Sequence, residues 1–171
     1  MADDGIPLAT ALPPFLYHGT SRLYLDQILR DGLLPCTMTG EEDMTCLADD
    51  PEIAIHHAMC QAESEEADPV VFVIPISCFD TAFFRLEDNF VRLGPSEGRG
   101  LALNHAMTEK EWQSLPWTWQ GMLKDCGAVG YTAPIPVTAG MMAEGRNEDE
   151  LRSAIPLIVD GTAAFEPGLA A

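Results

Sequence analysis

The chain has 171 residues, 47% of them apolar, and carries a formal net charge of −18 at pH 7. A chain of this length buries roughly 70% of its unfolded surface and suits a single domain, and no stretch approaches the ~20 unbroken apolar residues of a membrane helix. So acidic a surface repels phosphates, which disfavours direct nucleic-acid binding, and it attracts a basic protein partner; solubility is the plain alternative role for the charge.

Residues 1–14 read as a flexible lead-in, because Met1-Ala2-Asp3-Asp4-Gly5 lacks the basic start and apolar core of a secretory signal; the expected location is the cytoplasm. The domain is expected over 15–160. Residues 15–17 make a first strand, and it delivers His18-Gly19-Thr20 into a helix. Thr20 or Ser21 is placed to cap that helix, Leu23, Leu25, Ile28 and Leu29 form its apolar face, and Gly32 ends it. Residues 36–43 are a polar loop and 44–48 a second strand. Asp50 is an N-cap with Pro51 at the first helical position, and Ile53, Ala54, His57, Met59 and Cys60 are expected to face the core.

The run 69–76, continuously apolar and β-branched, predicts a strand buried on both faces. Residues 83–86 and 90–93 are expected as short strands, with a glycine-rich loop over 94–100. Thr108 and Glu111 have the spacing of a capping box and introduce a helix bearing Trp112 and Leu115. After Pro116 a second helical stretch carries Trp117, Trp119, Met122 and Leu123 toward Gly127, its tryptophans read as core. A strand follows at 128–132. The charged segment 146–152 is a short helix or a loop, 155–159 the last strand, and 161–171 a flexible tail.

Five cysteines, an odd number without a Cys-x-x-Cys pair, point to reduced thiols rather than a disulfide framework or a zinc ribbon. His56, His57 and Cys60 are the nearest approach to a metal cluster, and they read as helix side chains for want of further ligands, so no metal site is expected.

The chemistry concentrates at the His-Gly-Thr turn. His18 can serve as general base, as hydrogen-bond partner to a ligand, or as an ordinary core residue. Gly19, lacking a Cβ, lets a ligand reach backbone, and Thr20 offers a hydroxyl beside it. Leu16-Tyr17-His18-Gly19-Thr20, then Ile28-Leu29-Arg30-Asp31-Gly32-Leu33-Leu34-Pro35, then Cys46-Leu47-Ala48-Asp49-Asp50-Pro51-Glu52-Ile53-Ala54, resembles the opening of the ADP-ribosyltransferase fold. Poly-ADP-ribose polymerases, rifampin-modifying transferases and RNA 2′-phosphotransferases share this order of motifs.

The resemblance implies an α+β fold: a split, strongly bent β-sheet with flanking helices and NAD, as co-substrate, in the cleft between its halves. By that likeness His18 binds the adenosine-side ribose, the backbone of Gly19 clamps the nicotinamide carboxamide, and Thr20 supports the turn. Cys46 stands where the family has a Tyr or Ser packing on nicotinamide. The family's late catalytic Glu has no counterpart in 127–132, which leaves Asp125, Glu148 and Glu150 as candidates; Glu148-Asp149-Glu150 echoes the Glu-x-Glu of arginine-modifying transferases and also reads as a solvated face. The basic lobe and phosphate-binding arginines of the 2′-phosphotransferases are missing, so RNA repair is set aside.

Two functions are therefore expected. One is an NAD-dependent transferase, divergent in its second and third motifs, that modifies a macromolecular and basic protein target. The other is a non-catalytic relative that binds and inhibits a basic, nucleic-acid-binding partner. A toxin, effector or anti-defence role fits either.

Overall fold

A computed structural model describes residues 12–36, 42–95 and 98–165. The expected lead-in up to residue 11, the middle of the loop at 37–41 and the tail from 166 lie outside these residues. Six strands, β1 (Phe15–Ser21), β2 (Thr45–Ala48), β3 (Pro69–Pro75), β4 (Phe84–Arg85), β5 (Ala128–Tyr131) and β6 (Met142–Glu144), form one sheet in the order β4-β5-β2-β1-β3-β6. Every neighbouring pair is antiparallel. The helices are α1 (Leu25–Asp31), α2 (Pro51–Glu65), α3 (Asp88–Leu93), α4 (Gly100–His105), α5 (Glu109–Gln113), α6 (Trp119–Cys126) and α7 (Glu148–Phe165). The architecture is α+β.

The sheet is covered on both faces, and the alternation of its central strands shows how. Leu16, Val70, Phe72 and Ile74 join α1 and α6 in one core with Leu47, Phe84, Val129 and Tyr131. Tyr17, Val71 and Val73 point the other way, to α2 and α7. All seven residues of β3 are buried, as a strand sandwiched between two helical layers requires. A third cluster, Trp112, Met122 and Cys126 with Phe90 and Val91, ties α3, α5 and α6 together. The Trp112 indole donates to the Phe90 carbonyl at 2.6 Å, so this tryptophan is core.

Local signals set several boundaries. The Asp50 carboxylate accepts from the Glu52 amide with Pro51 at the first helical position, and Thr108 and Glu111 close a reciprocal capping box. Gly32 ends α1 at φ 84°, its amide bonded to the Ile28 carbonyl.

Other expectations are corrected. Residues 90–93 are helical: the Glu87 carbonyl accepts from the Phe90 and Val91 amides and starts α3. Residues 155–159 lie inside α7, where Leu151 and Ile155 form a buried helical stripe and Pro156 faces solvent; the helix runs on past residue 160. Strand β6 and helix α4, which begins inside the expected glycine-rich loop, were not anticipated. Neither Thr20 nor Ser21 caps by its side chain; the Ser21 hydroxyl donates to Glu65 instead. The apolar face of the first helix narrows to Leu25 and Ile28, leaving Leu23 and Leu29 exposed. On α2 the stripe against the sheet is Ala54, Ala58 and Ala62, so His57 and Cys60 turn outward. Small side chains at every fourth position bring α2 close to the sheet.

Candidate functional site

Within the sheet, the junction of β1 with β2 is a narrow seam. Strand β1 pairs with β3 at seven positions and β2 with β5 at four, but β1 meets β2 only at Tyr17↔Ala48. Had that register continued, His18 would face Leu47, Gly19 would face Cys46 and Thr20 would face Thr45. The ring of His18 spans the gap instead, its Nδ1 bonded to the Cys46 carbonyl at 2.8 Å. A carbonyl only accepts, so Nδ1 carries the proton and Nε2 of the neutral ring holds a lone pair. No hydrogen bond to Nε2 is formed among the described residues. Burial pushes the His18 pKa below its ordinary value, against the opposing pull of the Cys46 carbonyl, and so keeps the ring neutral.

Gly19 has a different reason to be glycine than ligand approach. A Cβ there would lie 2.0 Å from the Ala54 carbonyl oxygen and 2.7 Å from the Ala58 nitrogen. The missing side chain admits α2, which closes that face of Gly19. Thr20 is buried on the opposite face.

Across the seam, sequence reasoning missed an acid. Glu87 is 3% exposed, and its carboxylate accepts from the Cys46 thiol at 3.3 Å and from the Phe90 amide at 2.9 Å. The chain reaches this place by crossing β5 at Gly130, which lies opposite both Cys46 and Arg85. A Cβ on Gly130 would meet the Met44 sulfur at 2.5 Å and the Leu86 carbonyl at 3.4 Å. The faint signal was an acid directly before a helix start, hidden while 90–93 read as a strand.

Cys46 is thus held from both sides: His18 binds its carbonyl and Glu87 its thiol. Next to it Thr45 is 4% exposed, with its hydroxyl lacking a hydrogen-bond partner among the described residues. Such an orphan costs roughly 1–3 kcal/mol.

Of the three acids expected from sequence, Asp125 lies on α6 and Glu148 and Glu150 on α7. Asp125 is exposed near the end of α6, beside Cys126, whose thiol is pushed up to about 11 by burial and then by the Asp125 charge. Glu150 accepts from the amide and guanidinium of Arg146. Glu148 accepts from Arg152, which also holds Glu52 and Asp149. None of these bonds reaches His18, Cys46 or Glu87.

On α2 the Cys60 sulfur lies 3.6 Å from His56 Nε2, but no three His, Cys, Asp or Glu side chains gather as a metal site among the described residues. No helix of the described residues is long and apolar enough to cross a membrane. Comparison with protein-family models, with curated proteins and with solved structures finds no match to the chain.

Proposed function

We propose that the chain is an NAD-dependent ADP-ribosyltransferase acting on a basic protein, with NAD as co-substrate in the seam between β1 and β2. The observation that carries this reading is the convergence of His18 and Glu87 on Cys46, beside the single pair that joins β1 to β2. An α+β fold whose sheet opens between its halves is what the His-Gly-Thr resemblance implies, and the seam supports that finer reading of the fold. The roles follow from the groups available. His18 Nε2 accepts a hydrogen bond from a ribose hydroxyl. Among the described residues β1 pairs with β2 at no position beyond Tyr17, and the backbone along that edge would hold the nicotinamide carboxamide. Cys46 packs beside it.

Glu87 takes the part of the late acid in place of Asp125, Glu148 and Glu150. A carboxylate withdrawn from water stabilises the positive charge that develops on the departing ribose far more than a solvated one does. The three surface acids are solvated or committed to arginines. The charge of −18 selects for a target rich in lysine and arginine.

The test is incubation of the full chain with adenylate-labelled NAD and arginine- and lysine-rich proteins. Nicotinamide release with label on the target is expected, and Glu87→Gln lowers the rate by about 100-fold or more. Absence of both, alongside tight binding to a basic protein, overturns the reading.

A second reading draws on one specific observation: Glu87 also caps α3 through the Phe90 amide, a purely structural task. On that reading the chain is a non-catalytic protein that binds and inhibits a basic, nucleic-acid-binding partner. His18→Ala and Glu87→Gln would then bind that partner as the parent does.

A further inference from the structure

We propose that His56, Cys60 and Glu63 bind a zinc-like divalent cation in the groove along the outer face of α2. The site is separate from the seam: His18, Cys46 and Glu87 do not line this groove, and the NAD reading is not needed for it. The three residues follow one another at steps of four and three along α2, so they stand on one helix face, one turn apart. All three line the groove, whose volume of about 880 Å³ leaves room for a cation and its waters.

The geometry of the His–Cys pair decides the chemistry. The Cys60 sulfur lies 3.6 Å from His56 Nε2. In a tetrahedral zinc site, Zn–N bonds of about 2.0–2.1 Å and Zn–S bonds of about 2.3 Å meet at about 109°, which sets nitrogen and sulfur about 3.6 Å apart. A cation therefore enters between the two side chains without their having to move apart. It takes the place of the thiol proton, which passes to solvent as sulfur coordinates. Sulfur and imidazole nitrogen favour zinc over Mg²⁺ and Ca²⁺, which take oxygen ligands.

Glu63 supplies the third ligand. As the side chains stand, no three ligating groups gather among the described residues, so this carboxylate has to turn toward the pair. It is exposed, and no hydrogen bond or ion pair among the described residues holds its side chain. Water takes the remaining position, which gives three protein ligands and one open place. The surrounding charge favours a cation. Glu66, Asp68 and Glu148 also line the groove, while the arginines in it are paired, Arg22 with Glu144 and Arg146 with Glu150. His57 packs edge-on against His56 with ring centroids 5.8 Å apart but does not line the groove.

The experiment titrates the full, reduced chain with Zn²⁺ alone by calorimetry, and with Co²⁺ as a coloured probe. Expected are one ion per chain, a thiolate-to-cobalt charge-transfer band and the intense visible bands of tetrahedral Co²⁺. Zn²⁺ should bleach these bands, and excess Mg²⁺ should not. Outer-sphere partners of a metal are worth about 10–100-fold in affinity, so losing a direct ligand in His56→Ala or Cys60→Ser should weaken Zn²⁺ binding by at least about 100-fold. Glu63→Gln should weaken it by at least about 10-fold and keep the charge-transfer band. Cys36→Ser, which removes the other exposed thiol, and His57→Ala should bind as the parent does. Zn²⁺ should also raise the melting temperature of the parent and not that of Cys60→Ser. Parent-like Zn²⁺ binding by a cooperatively unfolding His56→Ala or Cys60→Ser variant overturns the site, as does displacement by Mg²⁺ or a missing charge-transfer band. One ion per two chains overturns it too, because a second copy would then supply the ligands. Parent-like binding by Glu63→Gln overturns the third ligand.

Discussion

Gly19 illustrates how one residue type answers two different questions. In the sequence its lack of a side chain suggests room for a ligand; in the fold the room is filled by the backbone of α2. Gly19→Ala should therefore destabilise the protein by ~3 kcal/mol or more, since it overpacks a main-chain contact that cannot swing aside; chemical denaturation measures this. Glu87 can be separated into its two tasks. Glu87→Ala removes the acceptor of both the Phe90 amide and the Cys46 thiol and should cost about 1–2 kcal/mol of stability. Glu87→Gln keeps an oxygen for the amide and should cost less, while losing the proposed activity. His18 sets a pH dependence. Its folded pKa lies below the ordinary 6.5 because burial penalises the charged ring. Between the two values the unfolded chain binds more protons, so stability is full above about 6.5 and is lost as pH falls through the folded value. His57 turns outward but is partly screened from water and is repelled by His56 and His18, and it shifts the same way. Glu52 and Glu65 act only at lower pH, held below their ordinary 4.5 by bonds from Arg152 and from Ser21 and Tyr24 respectively. The melting temperature should fall from about pH 7 to about pH 5, less steeply in His18→Gln.

Among the elements, α7 was the hardest to read and has the clearest physical explanation. Ile155-Pro156-Leu157-Ile158-Val159 has strand composition, and a proline argues against a helix interior. The fold overrides both preferences, because Leu151 and Ile155 lie one turn apart and bury against the α2 side of the sheet, while Pro156 stays on the outer face. Pro156 still lacks an amide proton inside a helix. Pro156→Ala should raise stability by up to about 3 kcal/mol, the interior penalty of proline relative to alanine, read as a higher melting temperature. Helix α3 was missed for a related reason: Phe90, Val91 and Leu93 carry β propensity, but the acid that starts the helix is specified by its contact with β2, not by local spacing.

For the molecule as a whole, 27 acids against nine lysines and arginines leave a repulsive surface. The arginines form local ion pairs, as with Arg152 among Glu52, Glu148 and Asp149 and Arg99 with Asp49, and relieve the repulsion only in patches. Raising salt from about 0.05 M to about 0.5 M should increase the melting temperature by screening like charges, and should weaken binding of a basic protein; thermal unfolding and a binding titration read the two effects.

The sequence by itself determined the elements whose signals are local: the buried strand β3, the Asp50-Pro51 start of α2, the Thr108 capping box and the glycine that ends α1. Each rests on neighbours within a few residues, where spacing and backbone chemistry suffice. Only the tertiary structure decided the rest. The seam exists because β1 and β2 share a single pair, and register between distant strands is set by packing on both faces. Glu87 reaches Cys46, 41 residues away, because Gly130 leaves its path open. Contacts of that range depend on which side chains are absent along the way, and no local pattern encodes them.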